Sequence, residues 1–146
     1  MSQSVLVLNG PNLGRLDIRD SSVYGKLNFK ELKKLIEVNA TDLGFTADVR
    51  QSDSESEIIG WLHEAADAKL PVIINPAAFT HYSYAIRDAA EMLKAPLIEV
   101  HLSNPLAREE FRHTSVISGI ATGTISGFGP NSYRLALQAL RDLLNK

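Results

Sequence analysis

The chain contains no cysteine. That absence excludes a disulfide framework, a thiol nucleophile and a thiolate metal site together. Neither sign of charge is in excess: 15 Lys and Arg stand against 17 Asp and Glu, for a net charge of −2. Such a balance gives no general attraction to nucleic acid or to an anionic membrane, so neither is expected as a partner. No apolar run approaches the roughly 20 residues of a membrane span. The first residues lack a basic flank followed by a long apolar stretch, so no signal peptide is expected and a cytoplasmic location is the default. Linkers, repeats and low-complexity tracts are also missing. At 146 residues, 45% hydrophobic and 22% charged, the chain is expected to form a single domain, 1–146, around one substantial core.

Several chemistries are missing as well. The four histidines, His63, His81, His101 and His113, do not show the close paired spacing of a zinc site, so no metal is expected. No predicted strand carries a lysine that could be desolvated for Schiff-base chemistry. Ser103 lacks a nucleophile-elbow sequence. Neither a P-loop nor the Gly-rich pyrophosphate fingerprint is present.

What is there is an alternation of short β-like runs with longer helical ones. Residues 4–8 form the first apolar run, and a polar, Gly-containing stretch extends from there to Gly25. Asn28 and Glu31 have the form of a capping box. Phe29, Leu32, Ile36, Ala40 and Leu43 follow at helical spacing, and Gly44 ends the helix. Residues 45–51 read as a second strand. Residues 54–57 read as another capping box, before a helix with Ile58, Leu62, Ala65 and Ala66 inward. The continuous apolar run 71–75 suits a buried parallel strand. A helix is predicted over 80–93, a fourth strand over 96–101, a short helix over 106–111 and a fifth strand over 122–126. Pro130 opens a last helix with Tyr133, Leu137, Leu140 and Leu144 along one stripe.

Five strands alternating with helices predict an α/β domain, a flavodoxin-like three-layer sandwich with a five-stranded parallel sheet. In such folds ligands bind beyond the carboxyl ends of the strands. Polar residues do collect there: Asn9 and Asn12, residues 51–53, Asn75 with Thr80 and His81, and residues 101–104.

The segment Ile98-Glu99-Val100-His101-Leu102-Ser103-Asn104 carries the sharpest signal. Glu99 and His101 are two apart, so a strand puts them on one face. A carboxylate there can orient the imidazole and raise its basicity. Taken alone, the pair also fits a core strand with a satisfied histidine. Arg15, Arg19 and Tyr24 lie in the long first connection, the kind of loop that often covers an active site. Free tyrosine titrates near pH 10, so only ~0.1% is phenolate at pH 7. A neighbouring cation favours the phenolate, which can serve as a general base. Arg108 and Arg112 are four apart and are expected on one helical face beside His101, a basic surface suited to an anionic, hydroxylated small molecule.

These motifs, in this order, resemble type II 3-dehydroquinate dehydratase (type II dehydroquinase) over essentially the whole chain. The resemblance rests on residues 8–13, Arg19, Tyr24-Gly25, Gln51-Ser52, residues 74–76, Thr80-His81, Arg87-Asp88, residues 98–104 and residues 108–113. It implies dehydration of 3-dehydroquinate to 3-dehydroshikimate, in the shikimate or quinate pathway, by anti elimination through an enol or enolate. No metal or organic cofactor is implied. Tyr24 would take the C2 proton, with Arg19 helping to keep it ionised. Asn12 would hold a water at the enolate oxygen. His101, oriented by Glu99, would protonate the departing C1 hydroxyl. Asn75 would position His101 and the substrate. The amides near Leu102 and Ser103 would bind the carboxylate, and His81 and Arg112 the ring hydroxyls. Asp88 would reach a neighbouring subunit's site in a homo-oligomer, a dodecamer built as a tetramer of trimers.

The chain departs from the common pattern of that family in the first connection, where residues 14–21 replace Asn-Leu-Leu-Gly-Thr-Arg-Glu-Pro. It departs again at residues 53–56 and at Tyr82. Altered lid behaviour and substrate affinity are expected, with the chemistry unchanged. A non-enzymatic flavodoxin-like module is the alternative. A phosphoacceptor receiver would need acidic residues at the end of the first strand, and a flavin carrier a Ser/Thr-rich phosphate loop. Asn9-Gly10-Pro11-Asn12 is neither.

Overall fold

A computed structural model describes residues 2–24 and 26–145; Gly25 of the Tyr24-Gly25 motif lies outside the described residues. Five strands, β1 (Gln3–Asn9), β2 (Phe45–Gln51), β3 (Val72–Asn75), β4 (Leu97–His101) and β5 (Gly123–Ser126), form one sheet in the order β2-β1-β3-β4-β5. Every pairing is parallel. The helices are α1 (Ser21–Tyr24), α2 (Phe29–Asp42), α3 (Glu55–Ala68), α4 (Tyr84–Ala90) and α5 (Asn131–Leu144).

Strand alternation divides the core in two. Val5, Val7, Ile73, Ile98 and Val100 pack with Leu32, Ile36, Tyr133 and Leu137, so α2 and α5 cover that face. Leu6, Leu8, Val72, Ile74 and Leu97 pack with Ile58, Leu62, Ile86 and Ala89, so α3 and α4 cover the other. This is the expected flavodoxin-like sandwich. Both faces of β1 and β3 are buried, which is why their sequences are continuous apolar runs.

The local signals explain most boundaries. At α2 both halves of the capping box form: Asn28 Oδ1 accepts from the Glu31 amide at 2.8 Å, and Glu31 accepts from the Asn28 amide at 3.3 Å. Gly44, at φ 87°, follows that helix in the left-handed conformation that glycine adopts without strain. At α3 only half of the expected box forms, Ser54 Oγ accepting from the Glu57 amide.

Three helix expectations are corrected. The segment 80–93 is not one helix: a 3-10 turn, Ala77–His81, comes first, and α4 starts at Tyr84 with Ser83 Oγ capping Ile86. The segment 106–111 is two 3-10 turns, Pro105–Ala107 and Glu110–Arg112, with Arg108 extended between them. On α5, Ala136 joins Tyr133, Leu137 and Leu140 in the core, whereas Leu144 near the helix end is exposed.

The strand order reverses between β1 and β3, the place where such sheets open a crevice at their carboxyl ends. Asn9 and Asn75 end those two strands side by side in register. Their loops meet closely, with the Gly10 amide donating to the Asn75 carbonyl at 2.8 Å. A Cβ on Gly10 would stand 2.5 Å from the Pro76 carbonyl oxygen, so only glycine fits there.

Candidate active site

Beyond the carboxyl ends of β1, β3 and β4 lies a cleft. Its walls include Asn12, Arg19, Tyr24, Asn75, His81, His101, Leu102, Ser103, Arg108 and Arg112. The structure thus gathers residues from five separate stretches that the sequence had singled out. Glu99 stands behind His101 instead of on the wall. Asp88 is exposed on α4 and takes no part in the cleft of its own chain.

His101 ends β4, and Glu99 shares its face. The imidazole Nε2 and Glu99 Oε2 are 2.5 Å apart. Because a carboxylate only accepts, Nε2 carries the proton of this contact and Nδ1 is the nitrogen left for other partners. Glu99 is 1% exposed. A bare carboxylate at that depth would cost several kcal/mol. Here it accepts from Thr80 Oγ1 and Ser118 Oγ, each at 2.6 Å, and from Ser115 Oγ at 3.2 Å. Burial pushes its affinity for protons up, but the bonds from His101, Ser118 and Thr80 outweigh it and hold Glu99 below the usual carboxylate range. Glu99 therefore stays charged at neutral pH and fixes the ring.

Tyr24 closes α1. Arg19 stacks on its ring, Cζ 3.6 Å from the centroid. The phenolic oxygen accepts from Arg108 Nη2 at 2.7 Å, while Arg108 Nη1 donates to Ser103 at 3.1 Å. Arg19 thus meets the ring face, and Arg108 meets the oxygen. Burial, and the proximity of Arg108 and Arg112, lower the proton affinity of Arg19 below the usual arginine value, with Tyr24 opposing. The three guanidinium groups line this wall of the cleft, with Glu109 paired to Arg112 at 3.1 Å.

Asn12 sits in the left-handed region at φ 69°, and its amide donates to Asp53 Oδ1 at 2.9 Å. Gln51 Nε2 bridges the Gly10 carbonyl and the same Asp53 oxygen, each at 3.1 Å. Asp53, one of the departures from the common pattern, therefore helps hold Asn12 in place. His81 Nδ1 donates to the Thr114 carbonyl at 2.8 Å, which in a neutral ring leaves Nε2 as an acceptor. Asn75 bonds to Tyr133 and to the Ala77 amide, at 2.9 and 3.1 Å. No bond from Asn75 to His101 occurs among the described residues.

Four features here leave no mark in the sequence. The Arg108–Tyr24 contact spans 84 residues, and no local pattern announces it. The Thr80-His81 pair does not mark Thr80 as a Glu99 partner. Ser115 and Ser118 lie in a segment without periodicity. The spacing that puts Tyr133 in the core says nothing of the bonds its hydroxyl makes. Among the described residues no cluster of three or more potential metal ligands occurs, and no helix is long and apolar enough to cross a membrane.

The family described as class II dehydroquinase matches residues 3–141. The chain is 56% identical over 136 residues to the 3-dehydroquinate dehydratase of Salinispora tropica, covering 93% of this chain and 95% of that protein. It is 54% identical over 143 residues to the 3-dehydroquinate dehydratase of Mycobacterium tuberculosis, covering 97% of each. The crystal structure of type II dehydroquinase from Propionibacterium acnes superposes with a TM-score of 0.95 at 52% identity, covering 97% of this chain and 98% of that one.

Proposed function

This chain belongs to the class II dehydroquinase family, and from that premise we propose the roles that its cleft residues take. The reaction is removal of water from 3-dehydroquinate to give 3-dehydroshikimate by a hydro-lyase. A proton beside a ketone is acidified because its loss gives an enolate. A phenolate is therefore a sufficient base. A hydroxyl leaves poorly unless protonated, which calls for an acid at the other carbon.

The observation that carries the assignment is that one cleft holds both groups in suitable settings: Tyr24 with a guanidinium on its oxygen, and His101 with a buried carboxylate on one nitrogen. Tyr24 takes the C2 proton as phenolate. Arg108 stabilises that anion at the oxygen, and Arg19 at the ring. His101 delivers a proton from Nδ1 to the departing C1 hydroxyl, and the charge on Glu99 compensates the imidazolium. Asn12 holds a water at the enolate oxygen. Leu102 and Ser103 supply amides for the substrate carboxylate, while Asn75, His81 and Arg112 contact the ring and its hydroxyls. Each turnover leaves the proton on Tyr24 and takes one from His101, so one proton must pass back before the next cycle.

The assembly belongs to the same proposal. Asp88, exposed and outside its own cleft, is suited to complete the site of a neighbouring copy, as expected of trimers within a dodecamer. A cytoplasmic setting goes with this small-molecule role.

Arg108→Met tests the placement of the base. It keeps much of the side chain's bulk and removes the donor to the Tyr24 oxygen. Turnover at neutral pH should fall about 10- to 100-fold, because the phenolic oxygen loses the guanidinium donor that faces it. Unchanged turnover in the folded variant would remove Arg108 from this role.

A further inference from the structure

Tyr133 is fully buried on α5, yet its hydroxyl is not idle. It donates to Asn9 Oδ1 at 2.5 Å and accepts from Asn75 Nδ2 at 2.9 Å. Asn9 Nδ2 in turn donates to the Arg50 carbonyl at 3.0 Å, and Asn75 Oδ1 accepts from the Ala77 amide at 3.1 Å. Both ends of this chain of bonds are backbone groups with only one possible role. The Arg50 carbonyl can only accept, and the Ala77 amide can only donate. The direction of every bond between them is therefore fixed. Asn75 must turn its oxygen to Ala77 and its NH2 to Tyr133, and the Tyr133 proton must point to Asn9.

Burying a phenol at this depth is costly unless its hydroxyl is paired. A phenylalanine would fill the same core position without that cost. The hydroxyl therefore stands where its one effect is on the two asparagines that end β1 and β3. Burial raises the phenol's hold on its proton far above the ordinary tyrosine value, with the Asn75 bond opposing, so it stays neutral at any ordinary pH. Ala77, next to Asn75 along the cleft wall, is held at φ 51°, a conformation costly for a residue with a side chain. The bond from its amide to Asn75 fixes that backbone.

We propose that Tyr133 is a positioning residue for the reaction: its hydroxyl sets the orientation of the Asn75 carboxamide and, through it, the Ala77 turn in the cleft wall. It touches no substrate. This inference rests on the reading that Asn75 contacts the substrate, and it adds a control point from the last helix.

A double-mutant cycle tests it. Tyr133→Phe, Asn75→Ala and the double variant are compared with the parent in 3-dehydroquinate turnover, with thermal melts to establish folding. Tyr133→Phe should lower kcat/KM about 10- to 100-fold while the protein stays folded, because misplacing one positioning group has effects of that size. In the Asn75→Ala background the same substitution should change kcat/KM little, although it still lowers the melting temperature. A role in packing alone would instead lower stability in both backgrounds and leave kcat/KM of the folded protein unmoved. Should Tyr133→Phe not fold, Asn9→Ala removes the acceptor that fixes the hydroxyl's direction, and the same non-additive loss is expected. Full kcat/KM in a folded Tyr133→Phe or Asn9→Ala protein, or equal effects in both backgrounds, overturns the proposal. If Asn75→Ala itself is fully active, the reading of Asn75 fails instead.

Discussion

Tyr24→Phe is expected to reduce turnover of 3-dehydroquinate by about 10²- to 10⁴-fold, the range that a positioned general base contributes, while the ligand still binds. The substitution removes one oxygen. The ring is retained, and with it the partial packing of Tyr24 against the core and the stacking of Arg19. Arg108 loses its acceptor at the phenol but keeps Ser103. Folding and binding should therefore change little, and the loss should lie in kcat. Steady-state kinetics together with a binding titration using an unreactive substrate analogue would separate the two. Near-normal turnover would remove Tyr24 as the base.

His101→Ala should cost turnover over a similar range, with an added effect on stability. Removing the imidazole strips a buried carboxylate of one hydrogen-bond donor, a change that typically costs about 1–3 kcal/mol. Thr80, Ser115 and Ser118 still donate to Glu99, so the loss should fall toward the lower end. His101→Gln separates the two effects. Its amide can still donate to Glu99, but it cannot act as an acid at neutral pH. Both variants should lose turnover, and only the alanine should melt much earlier. Full activity in either folded variant would remove His101 as the acid.

The parts of the fold that local chemistry dictates were legible in the sequence. The boundaries of β2 matched because an alternating stretch lies between Gly44 and a polar cluster. The start of α2 matched because a capping box needs only two residues three apart. The helices around the cleft were less legible. Apolar spacing through Ile86, Ala89, Met92 and Leu93 imitates a longer helix, but after Ala90 the backbone tightens into bonds from Met92 to Ala89 and from Leu93 to Ala90. Ahead of α4, Thr80 is drawn to Glu99, and Ser83 becomes the cap.

The site was legible where its residues lie close in sequence and illegible where they meet only in space. Glu99 and His101 share a strand face, so their contact follows from a spacing of two. The long first connection pointed to Tyr24 with Arg19 as its neighbouring cation, yet the cation on the phenolic oxygen is Arg108, 84 residues away. It reaches there because the chain between Ala107 and Glu110 is extended where helical spacing had suggested a continuous helix. Ser115, Ser118 and the Tyr133 hydroxyl have no signature of their own. They become visible only once Glu99, Asn9 and Asn75 are buried and each polar atom must find a partner.

The division of labour between Tyr24 and His101 is tested most directly by hydrogen exchange at C2 of 3-dehydroquinate in deuterated water. If Tyr24 takes the C2 proton before the C1 hydroxyl leaves, folded His101→Ala should still exchange that hydrogen for deuterium while forming almost no 3-dehydroshikimate, and Tyr24→Phe should do neither. Exchange that persists in Tyr24→Phe and disappears in His101→Ala would contradict the assignment and make the histidine the base.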